Sequence, residues 1–353
     1  MVSELAPVEV DMQTADKAFW NRYHLYRRLR HAETRPDDPV RPDEFAEKEM
    51  KRENPFGFRY RYEISPDGKM LSWLVAGTPK PGTPEYDTNK HILWADVSVH
   101  KDNRRRGIGR LWLPIVVELM DRHGCTTLST ATEEESGHEF LKWVGADEKF
   151  KGAENRLKLA DVDWAMVRRW VDEGEKRSLN TKLEVYDGRL PEPMLADYCP
   201  QLTSLLNTMP FEDLDHGEIV VTPEQMAEWY ARMDMDGTQH YVMLTREPDG
   251  VISGITDLFY APHKVNLINQ GFTGVRPDAR GRGLGKWLKA AMLEHARKLH
   301  PQLEWVQTEN AGSNAPMLGI NYALGFKTYR EGSEYQMSRD KLAEKAREIS
   351  TRR

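Results

Sequence analysis

Only two cysteines occur in 353 residues, Cys125 and Cys199, far apart and in no ligand spacing. That scarcity argues against a disulfide framework and against a cysteine zinc site, and it fits a reducing cytoplasm. Also missing is any uninterrupted apolar run approaching the roughly 18 residues of a membrane-spanning helix. The opening segment MVSELAPVEVDMQ is acidic and has no apolar signal core, so the expectation is a cytoplasmic chain with no membrane partner. Basic excess is absent too. Fifty Lys+Arg stand against 56 Asp+Glu, a net charge of −6, and bulk charge therefore gives no support to a nucleic-acid partner. What is present is a chain 39% hydrophobic and 30% charged, long enough for about two domains at roughly 150 residues each.

An internal repeat organises it. Arg104-Arg105-Arg106-Gly107-Ile108-Gly109-Arg110 and Arg280-Gly281-Arg282-Gly283-Leu284-Gly285-Lys286 share the pattern R-x-R-G-[IL]-G-[RK], about one domain apart. Each heptad follows a β-branched run (Ala95 to Val99; Phe272 to Val275) and precedes a helical pattern (Leu111 to Arg122; Trp287 to Leu299). A short strand and a helix ending at Gly145 or Gly325 come next. Upstream, each copy has two amphipathic helical segments, then a hairpin about Pro66-Asp67-Gly68 or Pro248-Asp249-Gly250, turn residues flanked by alternating hydrophobics. The spacing predicts two domains, 1–173 and 183–353, joined by a polar linker at 174–182. The charged tail Asp340 to Arg353 reads as a solvated helix or a frayed end.

A strand, a glycine turn and a helix place free N–H groups and the positive end of a helix dipole at one point, which is an anion site. A P-loop needs G-x-x-x-x-G-K-[ST], but Trp287 follows Gly285-Lys286 and Arg280 stands where the first glycine belongs. A dinucleotide fingerprint needs a third glycine, and Lys286 stands there in copy two, Arg110-Leu111-Trp112 beyond Gly109 in copy one. The remaining pattern, R-x-x-G-x-G at Arg104, Gly107, Gly109 and at Arg280, Gly283, Gly285, resembles the pyrophosphate-binding signature of the GNAT superfamily of acetyl-CoA-dependent N-acetyltransferases. The run from Thr273 to Gly285, then Asn310, Asn314, Met317 and Leu324-Gly325-Phe326, extends the likeness. A tandem arrangement of this kind is similar to that of mycothiol synthase-like proteins.

The resemblance implies an α/β (α+β mixed sheet) class: two tandem GNAT domains, each a splayed, mostly antiparallel mixed sheet flanked by helices. It also implies acetyl-CoA as co-substrate, without a metal. The pantetheine arm would bond the backbone at Val97, Ser98 and Val99 and at Thr273, Gly274 and Val275. Its pyrophosphate would sit on N–H groups of Arg105, Arg106, Gly107, Ile108, Gly109 and Arg110, and of Gly281, Arg282, Gly283, Leu284, Gly285 and Lys286. Arg282 and Lys286 either attract phosphate or are solvated helix-start cations. Asn310 and Asn314 would contact the cofactor, although Asn314 before Ala315-Pro316 also reads as a helix cap alone.

Acid and base are less legible. The family commonly has a Glu on the strand before the turn and a Tyr four residues before the final Gly-Phe. Here Asn269 and Asn321 stand at those positions, with Tyr322 one residue on and so rotated by about 100°. Tyr322 is thus an acid candidate or core packing. Base candidates in copy two are Glu309, Asp257 and His263, and copy one offers Asp96, Glu133 and His138. The expected activity is N-acetylation of the primary amine of a small molecule by a monomer or homodimer, with the C-terminal domain catalytic and the N-terminal domain cofactor-binding or structural. A protein or peptide acetyltransferase and a non-catalytic acyl-CoA sensor are the alternatives.

Overall fold

The computed structural model describes residues 5–351. The first repeat runs β1 (Val8–Glu9), α1 (Lys17–Thr34), α2 (Asp43–Lys51), β2 (Gly57–Ile64), β3 (Ser72–Pro79), α3 (Tyr86–Asn89), β4 (Ile92–Val99), α4 (Trp112–His123), β5 (Thr127–Thr132), α5 (Glu135–Val144), β6 (Asp147–Lys158) and α6 (Trp164–Arg177). The second repeats that order without the short α3: β7 (Lys182–Asp187), α7 (Glu192–Leu206), α8 (Pro223–Asp234), β8 (Gln239–Arg246), β9 (Ile252–Tyr260), β10 (Leu267–Val275), α9 (Leu284–Leu299), β11 (Trp305–Ala311), α10 (Ala315–Leu324), β12 (Lys327–Ser338) and α11 (Arg339–Thr351). Local chemistry accounts for the boundaries. The β2–β3 turn closes because Asp67 and Gly68 both take positive φ, 53° and 73°. Thr222 and Gln225 form a reciprocal capping box that starts α8.

Two compact units result, and they do not follow the repeat boundary. The first contains the chain up to Phe150, Asp213–Glu218 and everything from Gly332 onward; the second contains Lys151–Glu212 and Ile219–Glu331. In the first, strands run β1-β2-β3-β4-β5-β12, with Ser333–Ser338 of β12 antiparallel to Thr132–Thr127. In the second they run β6-β11-β10-β9-β8-β7, with Gly152–Lys158 of β6 antiparallel to Ala311–Trp305. Each unit therefore takes its last strand, and the helix after it, from the other repeat. The linker expected at 174–182 falls inside the second unit. Gly174 lies on α6, buried, and a Cβ there would stand 2.3 Å from the ring of Trp287 on α9. Gly174→Ala should destabilise the protein by about 1–3 kcal/mol through overpacking, read from urea midpoints.

The tail also departs from expectation. Residues Leu342, Ala343 and Ala346 are buried, and α11 packs on α4 in the first unit. An apolar stripe at i, i+4 lies among charges that dominated the sequence reading. In the second unit, α9 covers one face of the sheet with Trp287, Leu288 and Met292, and α7 and α8 cover the other with Tyr198, Leu202 and Tyr230.

Candidate functional site

In each unit one parallel strand pair opens partway along. β4 and β5 pair from Ile92↔Thr127 to Trp94↔Ser129. β10 and β11 pair from Leu267↔Trp305 to Gln270↔Thr308. Beyond those points β4 and β10 stay bonded to β3 and β9 alone, so Val97, Ser98 and Val99, and Thr273, Gly274 and Val275, carry one strand edge into the gap. Side chains lock these edges. Tyr26 donates its hydroxyl to Ser98 Oγ at 2.9 Å, and the hydroxyls of Thr256 and Thr273 bond at 2.8 Å.

The two glycine turns follow directly. Their first arginines are braces rather than ligand groups: Arg104 Nε donates to the Val99 carbonyl at 3.0 Å and Arg280 Nε to the Val275 carbonyl at 3.2 Å. In copy two Gly281 and Gly283 have φ of 81° and 82°, and α9 starts at once, with no side chain capping its first turn. The N–H groups of Leu284, Gly285 and Lys286 have no helical acceptor at that end. A Cβ on Gly281 would meet nothing within 4 Å, and one on Gly283 only Arg177 Nη1 at 3.5 Å. Arg282 donates to Glu247 at 2.8 Å and to Thr181, while the Lys286 ammonium lies over the Trp170 ring at 5.2 Å.

The first unit is built more tightly. Arg105 occupies the left-handed position (φ 61°) that Gly281 fills in the second, and the Arg110 guanidinium folds over Gly107, its Nε 2.9 Å from where a Cβ would be. A 3-10 turn, Gly109–Leu111, uses the Leu111 and Trp112 N–H groups internally before α4 begins. A cavity of about 510 Å³ lies in the opened strand pair, lined by Val97, Val99, Ile108, Gly109, Leu128, Thr130 and Phe140. At its edge Arg30 and Arg104 are each paired with both Glu33 and Glu134 in a closed ring of charge. Arg106 is exposed, and buried Ile108 anchors the turn in the core. His138 Nδ1 bonds Tyr335 Oη at 2.8 Å, and Glu133 pairs with Arg35.

The remaining candidates in the second unit separate into different environments. Asn314 caps α10, accepting from Met317 N at 3.3 Å. Asn310 is turned inward, its Oδ1 accepting from Asn321 Nδ2 at 2.7 Å and from Asn155 Nδ2 at 3.4 Å. Asn321 in turn accepts from Lys289 Nζ. This lysine is wholly buried in α9, over the Phe326 ring, and burial pushes its amine down to about 7. Tyr322, one residue along the helix from fully buried Asn321, is 54% exposed. Glu309 is exposed on β11 opposite Glu154. Asp257 alone of the three proposed catalytic residues is buried: its Oδ1 has no hydrogen-bond partner, and His240 Nε2 stands 3.5 Å from its Oδ2. Sequence reasoning missed His240, Tyr230 and Lys289. The available signal was polarity out of place: His240 is the second residue of a strand whose next residues on the same face are Val242 and Leu244, and Lys289 interrupts the apolar run of α9.

These features fit an acyl-CoA in the second unit. The turn leaves space without a Cβ in it, successive unpaired N–H groups at the helix start offer an anion a seat with a helix dipole behind them, and an open strand edge leads away from it. Among the described residues there is no group of three or more His, Cys, Asp or Glu arranged to hold a metal, and no helix long and apolar enough to cross a membrane.

Comparison with known proteins agrees with this geometry. Residues 201–317 match the acetyltransferase (GNAT) family. A stretch of 62 residues is 44% identical to a mycothiol acetyltransferase of Saccharomonospora viridis, covering 18% of this chain and 20% of that protein, so the match spans only a fifth of the relative. A tandem GNAT protein from the clavulanic acid biosynthesis pathway superposes with a TM-score of 0.73 at 21% identity, over 95% of this chain and 99% of that one. A GCN5-related N-acetyltransferase from Sphaerobacter thermophilus gives 0.63 at 13% identity, over 95% and 96%. Residues 201–317 thus carry the GNAT acetyltransferase match, and the chain as a whole has the tandem GNAT fold.

Proposed function

We propose that the protein is an acetyl-CoA-dependent N-acetyltransferase acting on the primary amine of a small molecule, with the second unit catalytic. One observation carries this reading: in that unit the strands part at Gln270 and Thr308 just where the chain leads into an open glycine turn and an uncapped helix. Bound acetyl-CoA supplies an activated acyl group as its thioester. The residues around it do the positioning. Leu284, Gly285 and Lys286 would hold the pyrophosphate through their N–H groups, and Thr273 to Val275 would align the pantetheine arm along a strand edge. Such orientation, with polarisation of the carbonyl, supplies several kcal/mol of barrier reduction.

For the first unit a second reading is favoured by the ring of Arg30, Glu33, Arg104 and Glu134. Four charges satisfied by one another at the edge of the cavity suit retention of acyl-CoA without transfer, and Asp96 on β4, its carboxyl raised by burial, stands outside the ring. The test is calorimetric titration of the full chain with acetyl-CoA, together with CoA release over a panel of amines such as butylamine, spermidine and an aminoglycoside. Two sites and amine-dependent release are expected, with release lost on removing the amine. Binding without release across the panel would make the protein a receptor, and absence of binding would remove the reading altogether.

A further inference from the structure

Two buried polar atoms of the second unit lack partners although they stand in one cluster. Asp257 is 7% exposed and His240 is 2% exposed, and neither Asp257 Oδ1 nor His240 Nε2 has a hydrogen-bond partner. Leaving such groups unsatisfied costs about 1–3 kcal/mol each, more for a charge, so the arrangement calls for a reason. The surroundings are specific. Tyr230 Oη accepts from Leu190 N at 3.0 Å and lies 3.3 Å from His240 Nδ1. With that lone pair used, the tyrosine proton is directed to Nδ1, which leaves the ring proton on Nε2, on the side of Asp257. Tyr230, His240 and Asp257 thus stand in a row, with Nε2 3.5 Å from Oδ2 and Oδ1 accepting from nothing.

That oxygen faces the parting strands. The register of β9 against β10 shifts between Gln270 and Thr273, so Gly271 and Phe272 bulge opposite Asp257. Gly271 is exposed, and a Cβ built on it would stand 2.5 Å from Asp257 Oδ1. Oδ1 lies buried beneath this glycine, and the same Cβ would stand 2.6 Å from the Phe259 ring, so only the absence of a side chain leaves room above the carboxylate, at the first residue past the last β10–β11 pair. The first unit has the same strands without this device. Counting from the equivalent pairs Thr273↔Thr256 and Val97↔Leu74, Val75 stands for Asp257, and Arg59 stands for His240.

We propose that Asp257 Oδ1 is the docking point and proton acceptor for the ammonium group of the acceptor, with His240 and Tyr230 as its positioning residues. The proposal rests on the transferase reading above. The cation meets the carboxylate over Gly271 and passes one proton to Oδ1, which frees the nitrogen lone pair. That pair forms the C–N bond at the thioester carbonyl, the C–S bond breaks, and sulfur leaves with its electron pair and takes the second N–H proton. One amide, one thiol and one protonated Asp257 result. His240 Nε2, 3.5 Å from Oδ2, is the group that would close on Oδ2 as the proton arrives at Oδ1. Tyr198 lies on the α7 side of the same cluster, its hydroxyl pushed up by burial first and by the Asp257 charge second. It stays protonated and adds no competing charge. Trp229 and Phe259 pack on the His240 ring at 5.0 and 4.7 Å and hold it in place.

Asp257→Asn keeps the shape and removes the acceptor. Expected is a fall in kcat/KM of at least 100-fold for the amine, the usual scale for a positioned acid or base, with the acetyl-CoA affinity unchanged within twofold by calorimetry. His240→Gln, which keeps an N–H donor, should retain several times more kcat than His240→Leu. Turnover within threefold of the wild type in Asp257→Asn, or equal losses in the two His240 variants, overturns the assignment. If the wild type releases no CoA with any amine, the transferase reading has failed and the amine site is judged separately. Butylamine hydrochloride is added to the full chain while the His240 ring signals are followed by NMR. A shift in the wild type that is missing from Asp257→Asn supports the site, and no shift overturns it.

Discussion

Valine in place of Gly283 removes acetyl-CoA binding by the second unit and lowers turnover at least 100-fold, which is about 2.7 kcal/mol in free energy. The reason is conformational before it is steric. Gly283 sits at φ 82° as the residue immediately before α9, a region a β-branched side chain rarely enters, at a cost of about 1–3 kcal/mol. To escape it the chain rotates the following peptide, and the N–H groups of Leu284 and Gly285 no longer converge on one point. Stability falls by no more than that cost, because a Cβ there would meet only Arg177 Nη1 at 3.5 Å. Calorimetry with acetyl-CoA, alongside thermal unfolding to show an intact fold, decides the matter. A folded variant with wild-type affinity at two sites would mean the turn is a helix start and nothing more.

Replacing Lys289 with methionine should flatten the dependence of stability on pH above neutrality. The lysine amine is about 10.5 when solvated and about 7 in the folded protein, and desolvation is the cause. The fold thus prefers the neutral amine, and unfolding takes up a proton over the interval between those values. A penalty is fully present below pH 7 and disappears as pH rises toward 10.5, so the wild type gains stability relative to Lys289→Met by about 1.4 kcal/mol per pH unit. The ceiling is on the order of 5 kcal/mol. Buried groups such as Cys199 and Tyr241, pushed up to about 11 and about 12 mainly by burial, act in the opposite sense at high pH. They are common to both proteins and cancel in the difference. Urea titrations at pH 7, 8.5 and 10 measure it; parallel curves would show that the lysine is charged inside the fold.

What the sequence made legible is what short-range chemistry dictates. Gly107, Gly281 and Gly283 mark turns because their φ values are positive, and Asp67-Gly68 closes a hairpin for the same reason. Helices α4 and α9 show their apolar stripes directly. Asp257, by contrast, acquires meaning only from a bulge in a neighbouring strand and a histidine one strand further on, and no spacing along the chain encodes that register. Asn310 and Asn321 were visible as polar residues near the cofactor strand, yet a lysine from a different helix turns them inward. Arg105 shows the converse: a residue unsuited to left-handed backbone holds the place where its counterpart is glycine.

The traded strands β6 and β12 bear on how such a chain arises and how it comes apart. An element exchanged between two copies of one domain is what a swapped homodimer contains, so a fusion of two such subunits end to end would inherit this pattern without inventing a new contact. Tethering then turns a bimolecular association into an intramolecular one, with the partner present at millimolar effective concentration however dilute the protein. The Asp257 and His240 pair in the second unit and the ring of arginines and glutamates in the first mark how differently the two copies are now charged around the same opened strands. Neither repeat carries a complete sheet by itself, so the divergence in chemistry was never accompanied by independence in folding.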